Sequence, residues 1–110
     1  MSGSFGDREK AFESKWAHDE ELRFKIIARR NKLLGLWAAE QMGISGEEAA
    51  EYAKTVVRAD LEEPGHEDVV RKVHRDFEAR SIARSDHAIR VKMEELLVTA
   101  TDQVLHEAGK

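Results

Sequence analysis

The chain has 110 residues, one proline, no cysteine and 36% charged residues, with a formal net charge of −4. That length supports one domain around one core, and the absence of cysteine excludes a disulfide-stapled scaffold, a thiolate nucleophile and a zinc-ribbon or iron–sulfur site. Apolar runs such as Leu96-Leu97-Val98 are a few residues long, so the sequence predicts neither a membrane span nor a secretory leader, and a cytoplasmic protein is expected.

Charge alternates along the chain in blocks of −3 (residues 1–21), +5 (22–34), −7 (35–69), +4 (70–92) and −3 (93–110). An acidic protein so patterned is not built to coat a polyanion, because its long-range field opposes nucleic acid. A helix-turn-helix reader at Pro64-Gly65 with Arg71, Lys72 and Arg75 beyond it is the nearest nucleic-acid alternative, and Asp68, Asp76 and Glu78 interrupt that surface. An acidic terminus would also be repelled by anionic lipid, so no direct membrane insertion is expected.

In chain order, residues 1–20 come first. Phe5, Phe12 and Trp16 share one helical face at spacings of seven and four, and the stripe lapses at Asp19, Glu20 and Arg23. These features predict a mobile or extended amphipathic arm, too short and too poor in apolar area to fold alone. Its aromatic face could pack back on the domain or dock in another protein's groove.

Residues 21–110 predict an all-α, compact four-helix bundle with helices near 23–42, 46–63, 66–81 and 86–107. Ile26, Ile27, Leu33, Leu34, Trp37 and Ala38 recur at helical spacing in the first. Ala49, Ala53, Val56, Val57 and Leu61 do so in the second, and Val69, Val70, Val73 and Phe77 in the third. Ile89, Met93, Leu96, Leu97, Ala100 and Val104 line the fourth, so Trp37, Phe77 and Met93 should lie inside. Gly43 suits a helix C-terminus, Ser45 through Glu48 suits a capping box, Pro64-Gly65 stops the second helix, and Ser85 suits an N-cap. The basic run Arg29, Arg30 and Lys32 could contact phosphate or an acidic partner, or simply form a solvated helix face.

Catalysis finds little support. His18, His66, His74, His87 and His106 make no His-x-x-x-His pair, and the one Glu-x-x-His, Glu63 to His66, spans Pro64-Gly65. A di-iron carboxylate bundle needs such a motif on each of two helices. No phosphate-binding glycine loop, Gly-x-Ser-x-Gly or His-Glu-x-x-His occurs, so the chain is expected not to be an enzyme and to need no metal or cofactor. A regulatory ligand such as a weakly bound nucleotide stays open.

Several strings carry a resemblance. Asp7-Arg8-Glu9-Lys10-Ala11-Phe12-Glu13, Ala17-His18-Asp19-Glu20 and Arg29-Arg30-Asn31-Lys32-Leu33-Leu34-Gly35-Leu36-Trp37-Ala38-Ala39 closely resemble the zeta subunit, the ATPase inhibitor of alpha-proteobacterial F-type ATP synthases. Gly65-His66-Glu67-Asp68-Val69 and Ser85-Asp86-His87 are similar to that family too. Trp16 stands where the family pattern has Phe, and Ile26-Ile27 is more apolar than that pattern.

The resemblance implies a four-helix protein, monomeric when free, whose N-terminal segment inhibits ATP hydrolysis. That segment would enter the catalytic head at an alpha/beta interface near the gamma subunit of the central stalk and block hydrolytic rotation as a pawl does. The protein would then sit at the inner membrane only through the synthase. On this reading the arm runs from Phe5 through about Asp19, Phe12 and Trp16 anchor it, and Asp7, Arg8, Glu9, Lys10, Glu13 and Lys15 supply charge complementarity. Arg29, Arg30 and Lys32 are second contact candidates. The alternative is a non-inhibitory helical adaptor or assembly protein of the same complex.

Overall fold

The computed structural model describes residues 19–62 and 66–109, and among them the regular structure is four α-helices: α1 (Glu20–Gln41), α2 (Gly46–Glu62), α3 (His66–Ala79) and α4 (Asp86–Glu107). The expected all-α four-helix architecture is therefore found. The arm candidates from Phe5 to Trp16, and the stop at Pro64-Gly65, lie outside the described residues.

α1 starts three residues before its expected position because Asp19 caps it. The Asp19 carboxylate accepts from the Leu22 amide at 3.0 Å, and Glu20 and Glu21 place negative charge at the positive end of the helix. At its far end Met42 is followed by Gly43 at φ +76°, with Ile44 N–H on the Ala39 carbonyl (2.8 Å) and Gly43 N–H on that of Glu40 (3.1 Å). That pair of bonds is a Schellman closure, and it confirms the role expected of Gly43. α3 closes in the same way with Ser81 at φ 60° as the left-handed residue and Ile82 N–H on the Phe77 carbonyl.

Ser85 caps α4 as expected, accepting from the Ala88 amide at 3.1 Å. The capping box at Ser45 does not form. Gly46 has φ +65°, so the chain turns at Gly46 itself, and no hydrogen bond joins Ser45 to Glu48 among the described residues.

α1 packs most extensively on α2 and α4 and also touches α3. A helix with neighbours on three sides needs apolar or tightly packed residues all round, which blurs a single stripe. The main core joins Leu34 and Ala38 of α1 to Val56, to Val69, Val70, Val73 and Phe77 of α3, and to Ile89 and Met93 of α4. A second cluster, Leu22, Ile26, Ala100 and Val104, seals the α1–α4 seam at the arm end. Trp37, expected inside, is only partly buried. It meets Phe77 edge-on, with centroids 5.8 Å apart, and carries Lys92 and Arg84 over its ring.

The α1–α2 crossing is set by Gly35. A Cβ built there would lie 2.6 Å from the Ala53 Cα, a backbone atom that cannot swing aside. Gly35→Ala should therefore destabilise the domain by about 1–3 kcal/mol, although alanine is the better helix former; chemical denaturation reads the loss, and a gain in stability would contradict this crossing.

Candidate partner-binding surface

The basic run does not form one face. Arg29 reaches across to α4, donating to Gln103 Oε1 (2.7 Å) and Glu107 Oε1 (2.8 Å). That hydrogen bond raises the Arg29 pKa and holds the Glu107 carboxyl below its usual range. A depressed carboxylate contributes its stabilisation above the ordinary glutamate range and loses it as pH falls through the lowered value. The tie thus persists at neutral pH, and an NMR titration of the Glu107 carboxyl carbon should show a midpoint below that of an unpaired glutamate.

Arg30 departs from the surface role expected of it. It is 3% exposed, and its Nε and one terminal nitrogen donate to Asn31 Oδ1 at 3.1 and 3.0 Å. Asn31, itself buried, donates from Nδ2 to Asp60 Oδ2 of α2 at 3.1 Å. Burial lowers the Arg30 pKa to about 10, with Asp60 opposing the shift, so the guanidinium stays charged at neutral pH. It is an interior tie between α1 and α2 and is not presented to a partner. Lys32 alone of the three is exposed, and it makes no ion pair with the described residues. Asp19, assigned to the arm, caps α1.

The structure adds a feature that periodicity did not mark. An open groove of about 800 Å³ runs between α1 and α2 and ends against the last turn of α4. Small apolar side chains line it, including Ala28, Ala50, Ala53 and Val57. Phe24 and Leu61, the large hydrophobics left 60% and 64% exposed among the described residues, both belong to it. Leu61 had been placed on the inward stripe of its helix. It sits instead in the last turn of α2, turned to solvent at the groove. Lys25, Lys32, Lys54 and Arg58 stand along the same groove, beside Arg29. The signal in the sequence was the +5 block bearing Phe24, but its partners on α2 come from the most acidic block.

A second polar seam joins α2 and α3. The Tyr52 hydroxyl donates to Asp76 Oδ2 at 2.7 Å, and Lys72 Nζ reaches the same oxygen at 2.9 Å. Burial, reinforced by Asp76, raises the Tyr52 pKa, so the phenol stays protonated. His74 lies between Asp86 (2.8 Å) and Glu78 (3.2 Å) at the α3–α4 seam.

Among the described residues no three metal-ligating side chains converge, and no helix is long and apolar enough to cross a membrane. The groove offers hydrocarbon and cations, and its single carboxylate, Glu107, is occupied by Arg29.

Fold and surface together define a small all-α domain with an open apolar groove rimmed by cations. Within that class the chain belongs to the ATPase inhibitor subunit zeta family, whose family model matches residues 1–103. Among solved structures, one determined by solution NMR is 50% identical in sequence with a TM-score of 0.69, covering 78% of this chain and 98% of that one. No curated protein matches the chain.

Proposed function

We propose that this protein inhibits ATP hydrolysis by F-type ATP synthase, acting by binding and not by catalysis, at the cytoplasmic catalytic head and hence peripheral to the inner membrane. Residues 1–18, the part of the expected arm that precedes the Asp19 cap, form the inhibitory segment, which docks at a catalytic alpha/beta interface near the gamma subunit and blocks hydrolytic rotation. The observation that carries this reading is the family match, which extends over the arm as well as the bundle. The arm's own residues suit the task. Phe12 and Trp16 offer anchors of the kind that dominate interfaces, and the mixed charges around them tune register and association rate. The domain behind them buries two apolar clusters of its own.

The test is ATP hydrolysis by a synthase head lacking this subunit, titrated with the full chain, with Phe12→Ala, with Trp16→Ala, and with residues 19–110, which retain the Asp19 cap. Each aromatic truncation should weaken inhibition about tenfold or more, equivalent to about 1.4 kcal/mol per decade, without moving the thermal unfolding of the bundle. The shortened chain should not inhibit. Equal inhibition by the full and shortened chains would move the active surface onto the bundle, and binding without inhibition by the full chain would make the protein an adaptor.

A further inference from the structure

The α1–α2 groove has no task in that mechanism, yet it carries what an interface needs. Phe24 and Leu61 are large apolar side chains left in water on the same groove, and an exposed apolar cluster with a polar rim marks a docking site more often than chance. The alanines between them let the backbone of an incoming segment approach closely. Around this strip stand Lys25, Lys32, Lys54 and Arg58, on a chain whose net charge is −4. Among the described residues Lys25 and Lys54 make only exposed pairs within their own helices, with Glu21 and Glu51, and such pairs exchange readily with a better partner. Lys32 and Arg58 make no hydrogen bond or ion pair with the described residues. Arg29, locked by Gln103 and Glu107, holds the end of α4 against the groove and gives it a fixed wall.

We infer that this groove is a second docking surface and that it receives an acidic segment with an apolar face from the same partner, the synthase head; the inference rests on the proposed function for the identity of that partner. Charge selects the occupant. The chain's own residues 1–18 carry three acids (Asp7, Glu9, Glu13) against three bases (Arg8, Lys10, Lys15), so the arm does not complement the groove. A second copy docking groove to groove would set cation against cation. A purely phosphate ligand would leave Phe24 and Leu61 unused. Position selects the partner: Phe24 and Lys25 lie within two turns of Asp19, where the arm leaves α1, so a body that grips the arm already borders the groove. Two linked contacts bind more tightly than either, because the second forms at the high effective concentration set by the first.

The test uses the full chain in three forms beside the natural one: Lys32→Glu/Arg58→Glu, Leu61→Ser and the arm variant Phe12→Ala. The groove positions are exposed, so these substitutions leave the core intact. Affinity for the immobilised synthase head is measured at about 50 and about 300 mM salt. The charge reversal should weaken binding about tenfold or more at low salt, with most of that gap closing at high salt. Leu61→Ser should weaken it severalfold at both. If Phe12→Ala weakens binding and neither groove variant does, the groove inference falls while the inhibitory arm stands. If the groove variants weaken binding and Phe12→Ala does not, the groove stands and the arm reading falls. Because the chain has no cysteine, Leu61→Cys carrying a benzophenone maleimide adds a chemical readout. Photocrosslinking should recover a partner peptide rich in Asp and Glu. Recovery of a basic or neutral peptide, or of this chain's own arm, would overturn the inference.

Discussion

Phe77→Ala is expected to cost the domain about 3–5 kcal/mol, read as a fall in the denaturant midpoint at unchanged slope. Phe77 is the largest of the fully buried side chains, with no solvent exposure, and its ring meets Trp37 edge-on. Removing it opens a cavity between α3 and α1 that valines at 69, 70 and 73 cannot fill, because β-branched side chains have little rotamer freedom. The Phe77 carbonyl also accepts from Ile82 and Arg80, so the same residue closes its helix. Small domains rarely hold more than about 5–15 kcal/mol in all, so the variant should be close to unfolding at body temperature. A loss below about 1 kcal/mol would mean that the ring is not in the core.

Asn31→Ala should be the next most damaging change, at about 3 kcal/mol. The side chain accepts twice from the Arg30 guanidinium and donates once to Asp60, all in or at the edge of the core. Hydrogen bonds to charged groups contribute about 1.5–3 kcal/mol each, and Asn31→Ala removes two from the Arg30 guanidinium and one to the Asp60 carboxylate. Asn31→Leu separates the causes. It restores the lost volume but not the carbonyl, so most of the destabilisation should remain. Recovery to natural stability in Asn31→Leu would show that Asn31 matters for its volume alone.

Some of this architecture was legible from residue spacing. The third helix reads cleanly because Val69, Val70, Val73 and Phe77 all face one side, and all four are fully buried. Ile89, Met93, Ala100 and Val104 behave likewise in the fourth, with Leu96 and Leu97 at the margin. The first helix was harder for a physical reason. Its interior positions include Arg30, Asn31 and Gly35, which periodicity reads as surface or as a weak point. Arg30 is tied through Asn31 to Asp60, 29 residues further along the chain from Asn31, and a local pattern cannot hold that information. Gly35 is required by the backbone of another helix. The same holds for Leu61, whose apolar character suggested the interior although its side chain stays 64% exposed.

The recognisable strings divide along the same line. Residues 29–39 are specific because so many of them are interior: Arg30, Asn31, Leu34, Gly35, Ala38 and Ala39 are all buried. They mark the family by its architecture and tell little about where a partner binds. The arm residues mark it by a string that lies outside the described residues. The groove went unread because it is assembled from two helices whose sequence blocks have opposite net charge.

The cap at Asp19 has a mechanical consequence. α1 begins there and runs the length of the domain, flanked by α2 and α4 on either side, so a pull applied at residue 19 loads that helix along its own axis. Under such a load the lateral contacts of α1 resist together, in shear, rather than parting one after another as they would if the helix were peeled from its end. The Gly35–Ala53 contact and the Arg29 and Arg30 ties are then keys that block sliding in either direction. A domain strung in this way can hold its first helix in place while force is applied to the chain that precedes it.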